Sequence, residues 1–179
     1  MSAQPVLPVV HGDALWVRSR DANPTALEIF KRHYSFKQYR DGRRRTQFVG
    51  PGGHIVLLTQ NADALFVWRK FISGDGQQGV NCSVFRNESL IRSRDLILAA
   101  EVFAQERWPG ERFYTYVNAR KLHVRHWHGT KRVFCPWPPG RVFLEAGWEH
   151  VTEKKEGGEI RFVTTKHNRL FILEKLPNG

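Results

Sequence analysis

The sequence predicts an α+β fold: a mixed, mostly antiparallel central sheet flanked by helices. Three observations lead there. Short apolar runs with strand character dominate and are punctuated by Gly and Pro turns. One segment, Ser93 to Trp108, keeps helical spacing throughout. No repeat, low-complexity block or linker divides the 179 residues, so a single domain is expected, with residues 1–12 as a flexible N-terminus and 165–179 as a C-terminal edge strand and tail. With 41% hydrophobic residues, the chain has enough apolar surface to offset the entropy of ordering a core.

Ala14 to Arg18 reads as a first strand. A short helix follows over Thr25 to Arg32, with Asn23 able to accept from the free amides of its first turn and Pro24 pre-set for helical φ. Gln47 to Val49 and Gly53 to Gln60 read as a hairpin around Pro51-Gly52-Gly53, and Ala64 to Phe71 as the next meander strand. Gly79 to Arg86 is a strand ending in the polar cluster Arg86-Asn87-Glu88-Ser89. In the long helix Leu96, Ala99, Ala100, Phe103 and Ala104 share one face, Ser93 is the expected N-cap, Asp95 suits the dipole and Pro109 stops it. Phe113 to Val117 is a strand and Arg141 to Ala146 a short helix ended by Gly147. Trp148 to Thr152 and Glu159 to Thr164 form a hairpin around Gly157-Gly158, and Leu170 to Leu173 adds an edge strand.

Charge narrows the partners. There are 28 Lys and Arg against 17 Asp and Glu, a net +11, and a sequence pI near 10.2 points to a polyanion. The excess is concentrated. Lys31, Arg32, Lys37, Arg40, Arg43, Arg44 and Arg45 face only Asp41 in the first basic segment. Arg107, Arg112, Arg120, Lys121, Arg125, Lys131 and Arg132 face only Glu111 in the second. Tyr34, Phe36, Tyr39, Phe113, Tyr114, Tyr116 and Trp127 are interleaved with them, a mixture that holds phosphates and stacks bases. Arg40, Arg43, Arg44, Arg45, Arg120, Lys121 and Arg125 are therefore the expected nucleic-acid contacts. No helix-turn-helix, C2H2 finger or RNP signature is present. Apolar runs far shorter than a membrane span, an N-terminus without a basic n-region, and only two cysteines, Cys82 and Cys135, point to a soluble cytoplasmic protein with reduced thiols.

Chemistry is expected where the strand ending in Arg86-Asn87-Glu88 meets the long helix, because free amides of a first helical turn favour anions. Arg86 would hold a carboxyl or other anionic group; Glu88 is either a base or the partner of Arg92. His123, His126, His128 and Cys135 have some spacing for a metal. The cations Lys121, Arg125, Lys131 and Arg132 crowd the same stretch, so it reads as a basic loop and no metal site is assigned.

The order of elements, together with Val142-Phe143-Leu144-Glu145-Ala146-Gly147-Trp148, resembles the GNAT acetyltransferase fold over about Leu15 to Thr164. That family's glycine-rich turn is replaced by Arg86-Asn87-Glu88-Ser89-Leu90-Ile91-Arg92-Ser93. Glycines there let the backbone wrap the pyrophosphate of coenzyme A, so the expected donor is an unidentified small molecule, with acetyl-CoA disfavoured. His33-Tyr34-Ser35, Phe85-Arg86-Asn87-Glu88, Tyr114-Thr115-Tyr116-Val117-Asn118, Pro139-Gly140 and Ala146-Gly147-Trp148 together resemble the Mom-like phage DNA-modification proteins, a divergent branch of that fold. The resemblance implies a transferase that converts the N6 amine of adenine in DNA to a carbamoylmethyl derivative and so protects phage DNA from restriction inside the infected bacterial host. It assigns Tyr116, Arg86, Glu88 and Asn87 to catalysis, and His33, Tyr34, Asn118, Ser93 and Trp148 to substrate binding. A conventional acyl-CoA-dependent N-acyltransferase and a noncatalytic nucleic-acid-binding protein on the same scaffold stay open, as does a homodimer.

Overall fold

Strands that are apolar on both faces need cover on both sides, and the segments 55–58 and 64–68 have that character. The computed structural model describes residues 15–122, 126–128, 131–133, 139–167 and 169–177, with backbone alone at 120, 122, 126–128 and 131–133. In chain order the elements are β1 (Val17–Ser19), α1 (Pro24–Lys31), β2 (Gly53–Leu58), β3 (Ala64–Lys70), β4 (Val80–Asn87), α2 (Ser93–Arg107), β5 (Phe113–Val117) and α3 (Ala119–Leu122). There follow β6 (His126–His128), β7 (Lys131–Val133), α4 (Arg141–Glu145), β8 (Glu149–His150), β9 (Thr152–Lys154), β10 (Ile160–Phe162) and β11 (Phe171–Lys175).

Among the described residues a seven-stranded sheet runs in the order β1-β2-β3-β4-β5-β11-β8. Its pairs are antiparallel except β4 with β5, which run parallel because α2 carries the chain back between them. The chain is thus α+β with a mostly antiparallel sheet. Alternation splits the strands between two cores. Ile55, Leu57, Phe66 and Trp68 face α2 and α4, while Val56, Leu58, Leu65 and Val67 face α1. Three indoles fasten α2 to the first face: Trp16 Nε1 donates to the Leu96 carbonyl and Trp68 Nε1 to the Ala100 carbonyl, both at 2.8 Å, and Trp148 Nε1 to Glu101 Oε1 at 2.7 Å. Among the described residues no helix is long and apolar enough to cross a membrane.

Five expectations need correction. Gln47 to Val49 is not a strand: the amides of Phe48 and Val49 donate to Asp21 Oδ1 at 2.6 and 3.0 Å, which removes them from any ladder, and the hairpin is β2 with β3. The first strand spans Val17–Ser19 rather than reaching back to Ala14, which lies outside the described residues. Ser93 is not the N-cap of α2; Arg92 holds that position without a side-chain cap, because Ser93 Oγ accepts from Asn87 Nδ2 at 3.0 Å. The terminal strand is not at the edge: β11 lies between β5 and β8. The last hairpin is shifted: its arms are β9 and β10, while Glu149–His150 of the expected first arm pairs with β11, and the Gly158 amide closes the turn on the Lys155 carbonyl at 3.0 Å.

Candidate active site: a notch between parallel strands

The parallel pairing of β4 and β5 stops early. Its last pair is Cys82 with Thr115, where Thr115 Oγ1 also donates to the Cys82 carbonyl at 2.9 Å. At the same point the register with β3 steps from Trp68 opposite Cys82 to Val67 opposite Val84, leaving Ser83 as an extra residue. Such a bulge bends its strand and leaves backbone groups unpaired. The bend and the end of pairing together open a cavity of about 100 Å³ lined by His33, Tyr34, Cys82, Ser83, Phe85, Thr115, Tyr116, Val117, Gly140, Val142 and Phe143. That is room for a group of a few heavy atoms, below the ~300 Å³ of an ordinary ligand pocket.

Tyr34 closes the notch on the β5 side. Its hydroxyl donates to the Tyr116 carbonyl at 3.2 Å and accepts from the Asn118 amide, so it occupies backbone positions that a neighbouring strand would otherwise fill. Burial pushes its phenol up, so the hydroxyl stays protonated. His33, buried beneath it with ring centroids 4.3 Å apart, accepts at Nδ1 from the Ser35 amide at 3.2 Å and bonds the Phe85 carbonyl from its other side. Burial, aided by the Arg86 guanidinium, drives its pKa from 6.5 to about 4. His33 is therefore neutral at physiological pH. It ties the end of α1 to β4, and its ring nitrogens are engaged. The Tyr116 side chain leaves the notch for the β3–β4 loop, where its hydroxyl donates to Asp75 Oδ1 at 2.6 Å. Burial, then the adjacent Asp75 carboxylate, push that phenol well above its ordinary value, so it stays protonated.

The polar cluster at the end of β4 is spent on structure. Glu88 lies between two guanidinium groups: Arg32 bonds both its oxygens at 2.8 and 2.7 Å, and Arg86 Nε donates at 2.5 Å. Hydrogen bonds from Arg32 and Arg86 hold its pKa near 2, which suits a fixed anion rather than the general base considered for it; its partners are Arg32 and Arg86, not Arg92. Arg86 also donates from Nη1 to the Arg32 carbonyl at 2.7 Å, so it braces the mouth of the notch without lining it. Asn87 donates to the Ile91 carbonyl at 2.7 Å and to Ser93 Oγ, and accepts from the amide and hydroxyl of Ser89 at 2.9 and 2.7 Å. These bonds leave neither Asn87 nor Ser93 free to read a base. Trp148, 2% exposed, belongs to the core and not to a substrate surface. Asn118 meets the notch through its backbone.

Beside the notch and sharing Val142 with it runs an open groove of about 670 Å³ lined by Arg92, Ser93, Arg94, Arg141, Val142 and Glu145. Arg141 Nε pairs with Glu145 at 2.8 Å. On the loop between α1 and β2, Arg40, Arg43 and Arg44 are exposed, Arg43 pairs with Asp41 at 2.6 Å, and the guanidinium groups of Arg45 and Arg43 lie 4.5 and 5.7 Å from the Tyr39 ring centroid. Lys121 Nζ donates to the Tyr34 carbonyl at 3.1 Å, joining the second basic segment to the notch.

The side chain of Arg120 and all of Arg125, His123 and Cys135 lie outside the described residues, as do the side chains of His126 and His128 on β6. Among the described residues no group of three His, Cys, Asp or Glu side chains could hold a metal ion. Of the residues assigned from sequence, His33, Tyr34 and Tyr116 line the cavity; Thr115 and Gly140 stand only inside motifs of the resemblance, and Cys82 and Ser83 are assigned no role in the site by the sequence. No protein-family model, no curated protein and no solved structure matches this chain.

Proposed function

We propose that this chain is a GNAT-like, DNA-modifying transferase that adds a small carbamoylmethyl- or acyl-type group to the exocyclic N6 amine of adenine, as in the Mom-like proteins it resembles, and so protects phage DNA in the bacterial cytoplasm. The observation that carries this reading is the notch itself: a bulge in β4 coinciding with the end of β4–β5 pairing, sized for a small transferred group, with basic surface on both sides. The strand order, with its parallel pair joined through α2, supports the GNAT-like assignment.

The amides of Glu88, Ser89 and Ile91 bond Asp63, Asn87 and Ser89 within the chain, so they are not offered to a diphosphate. That favours a donor without a nucleotide handle over acyl-CoA. In the reaction the N6 nitrogen forms a bond to the donor's electrophilic carbon, the bond to the leaving group breaks with its electron pair going to that group, and the leaving group takes up the proton that N6 loses. N6 is a poor nucleophile because its lone pair is delocalised into the ring, so most of the acceleration must come from holding the two reactants in contact in a dry site. The extruded base reaches the notch from outside, at a cost of a few kcal/mol that binding to phosphates offsets. Arg86, with Nε and Nη1 engaged within the chain, would turn Nη2 to a carboxyl or amide oxygen of the donor at the mouth. Tyr34 takes the place of Tyr116, the expected proton-transfer residue, because its hydroxyl lines the notch and is held only by backbone groups.

The test is to express the protein in bacteria, digest the DNA to nucleosides and look by mass spectrometry for an added mass on deoxyadenosine. Tyr34→Phe is expected to bind DNA and lose modification by about 10²-fold, and Tyr116→Phe to lose far less. No added mass on any nucleoside would overturn the reading and favour a noncatalytic DNA-binding protein.

A further inference from the structure

Single surface leucines are ordinary, but the position of Leu90 is not. Among the described residues it is the most exposed of the large hydrophobic side chains, with its full reference area open (105%). It stands at the tip of the turn between β4 and α2, and that turn is locked from within. Asn87 spans it with bonds to the Ile91 carbonyl, Ser93 Oγ and Ser89, and the Ile91 amide returns to Ser89 Oγ at 3.1 Å. A turn whose amides are used internally presents outward only the side chain at its tip. Arg92 and Arg94 follow the tip in sequence and line the neighbouring groove with Arg141, whose partner is Glu145, while Arg86 on the strand before it is paired with Glu88.

A rigid apolar point beside an arginine-lined groove has the chemistry of a side chain that enters a base step while neighbouring cations hold phosphates. We propose that Leu90 is a wedge that inserts into the base stack of duplex DNA, with Arg92, Arg94 and Arg141 on the flanking phosphates, and that it displaces the adenine whose N6 edge is brought to the mouth of the notch. This rests on the DNA-modification reading and supplies the step that reading needs, since a base inside a duplex is out of reach. The internal bonds of the turn keep Leu90 ordered before binding, so little conformational entropy is lost on insertion.

The test uses the full chain, a mixed-sequence duplex and permanganate, which oxidises thymines that have lost their stacking and pairing. The wild type is expected to bind and to create reactive thymines. Leu90→Ala removes a side chain that buries nothing, so it should fold and bind within about threefold of wild type with an unchanged salt slope, while thymine reactivity falls about tenfold; Leu90→Phe should restore it. Leu90→Ala opening thymines as well as the wild type would overturn the proposal. So would a wild type that modifies adenine without exposing thymines, and this outcome leaves the modification reading standing. A wild type that binds no duplex overturns both.

Discussion

Glu88 and His33 face each other across the Arg86 guanidinium, and both are held away from their ordinary titration by folding. For Glu88 the folded pKa lies below the unfolded one, so its stabilisation is complete above about 4.5 and is lost as pH falls towards 2. Glu88 is partly solvated, so this is worth about 0.5–1 kcal/mol. For His33 the unfolded state binds a proton below 6.5 while the folded state resists until about 4, so stability falls as pH drops through that window, by on the order of 3 kcal/mol. His150, also depressed by burial, contributes in the same direction. We expect urea midpoints of the wild type to fall between pH 6.5 and 4, and a His33→Gln variant to show a shallower decline. An equal slope in the two proteins would mean that His33 is not the group. Several residues proposed for chemistry turn out to hold the scaffold. The sequence displays Asn87, Glu88 and Trp148 as capable groups, but their partners (Ile91 and Ser93, Arg32 and Arg86, Glu101) emerge only when the chain is folded.

At the scale of elements, both principal helices and the meander were legible because their apolar periodicity survives in the fold. The notch was not. A bulge is one extra residue in a strand, and nothing in Cys82-Ser83-Val84 marks which residue that is until β3 supplies the register. Gly140 marks the other wall. Its φ of +83° is left-handed, and a Cβ built there would lie 2.9 and 3.1 Å from the two Cδ atoms of Leu173 and 3.3 Å from Val117 Cγ2. Gly140→Ala should therefore cost about 1–3 kcal/mol in thermal unfolding and push Val117 into the cavity. Unchanged stability would show that the turn before α4 can relax. The position of β11 was also hidden, because strand order is a long-range property and a short terminal run reads as an edge by default.

For the whole molecule, charge is the property the sequence conveyed best, since it needs no geometry. A net +11 becomes specific only through placement: the Arg43-Arg44-Arg45 loop beyond α1, the Arg92-Arg94-Arg141 groove, and Lys121 joining α3 to Tyr34. Replacing Arg43, Arg44 and Arg45 with alanine should flatten the dependence of log affinity on log salt by ~0.9 for each phosphate that these side chains neutralise, one phosphate per arginine at most. Equilibrium binding over a salt series measures this, and an unchanged slope would move the DNA path off that loop.

The central position of β11 also constrains how the chain can be made. Synthesis releases the N-terminal strands first, so the meander and α2 can assemble early, but β5 keeps an open edge until residues 171–175 emerge. Only then does Lys175 Nζ reach the buried Glu101 carboxylate at 2.6 Å. Until those residues emerge, the nascent sheet keeps an unpaired edge on β5, the kind of edge that templates wrong pairing, beside a buried acid without its lysine.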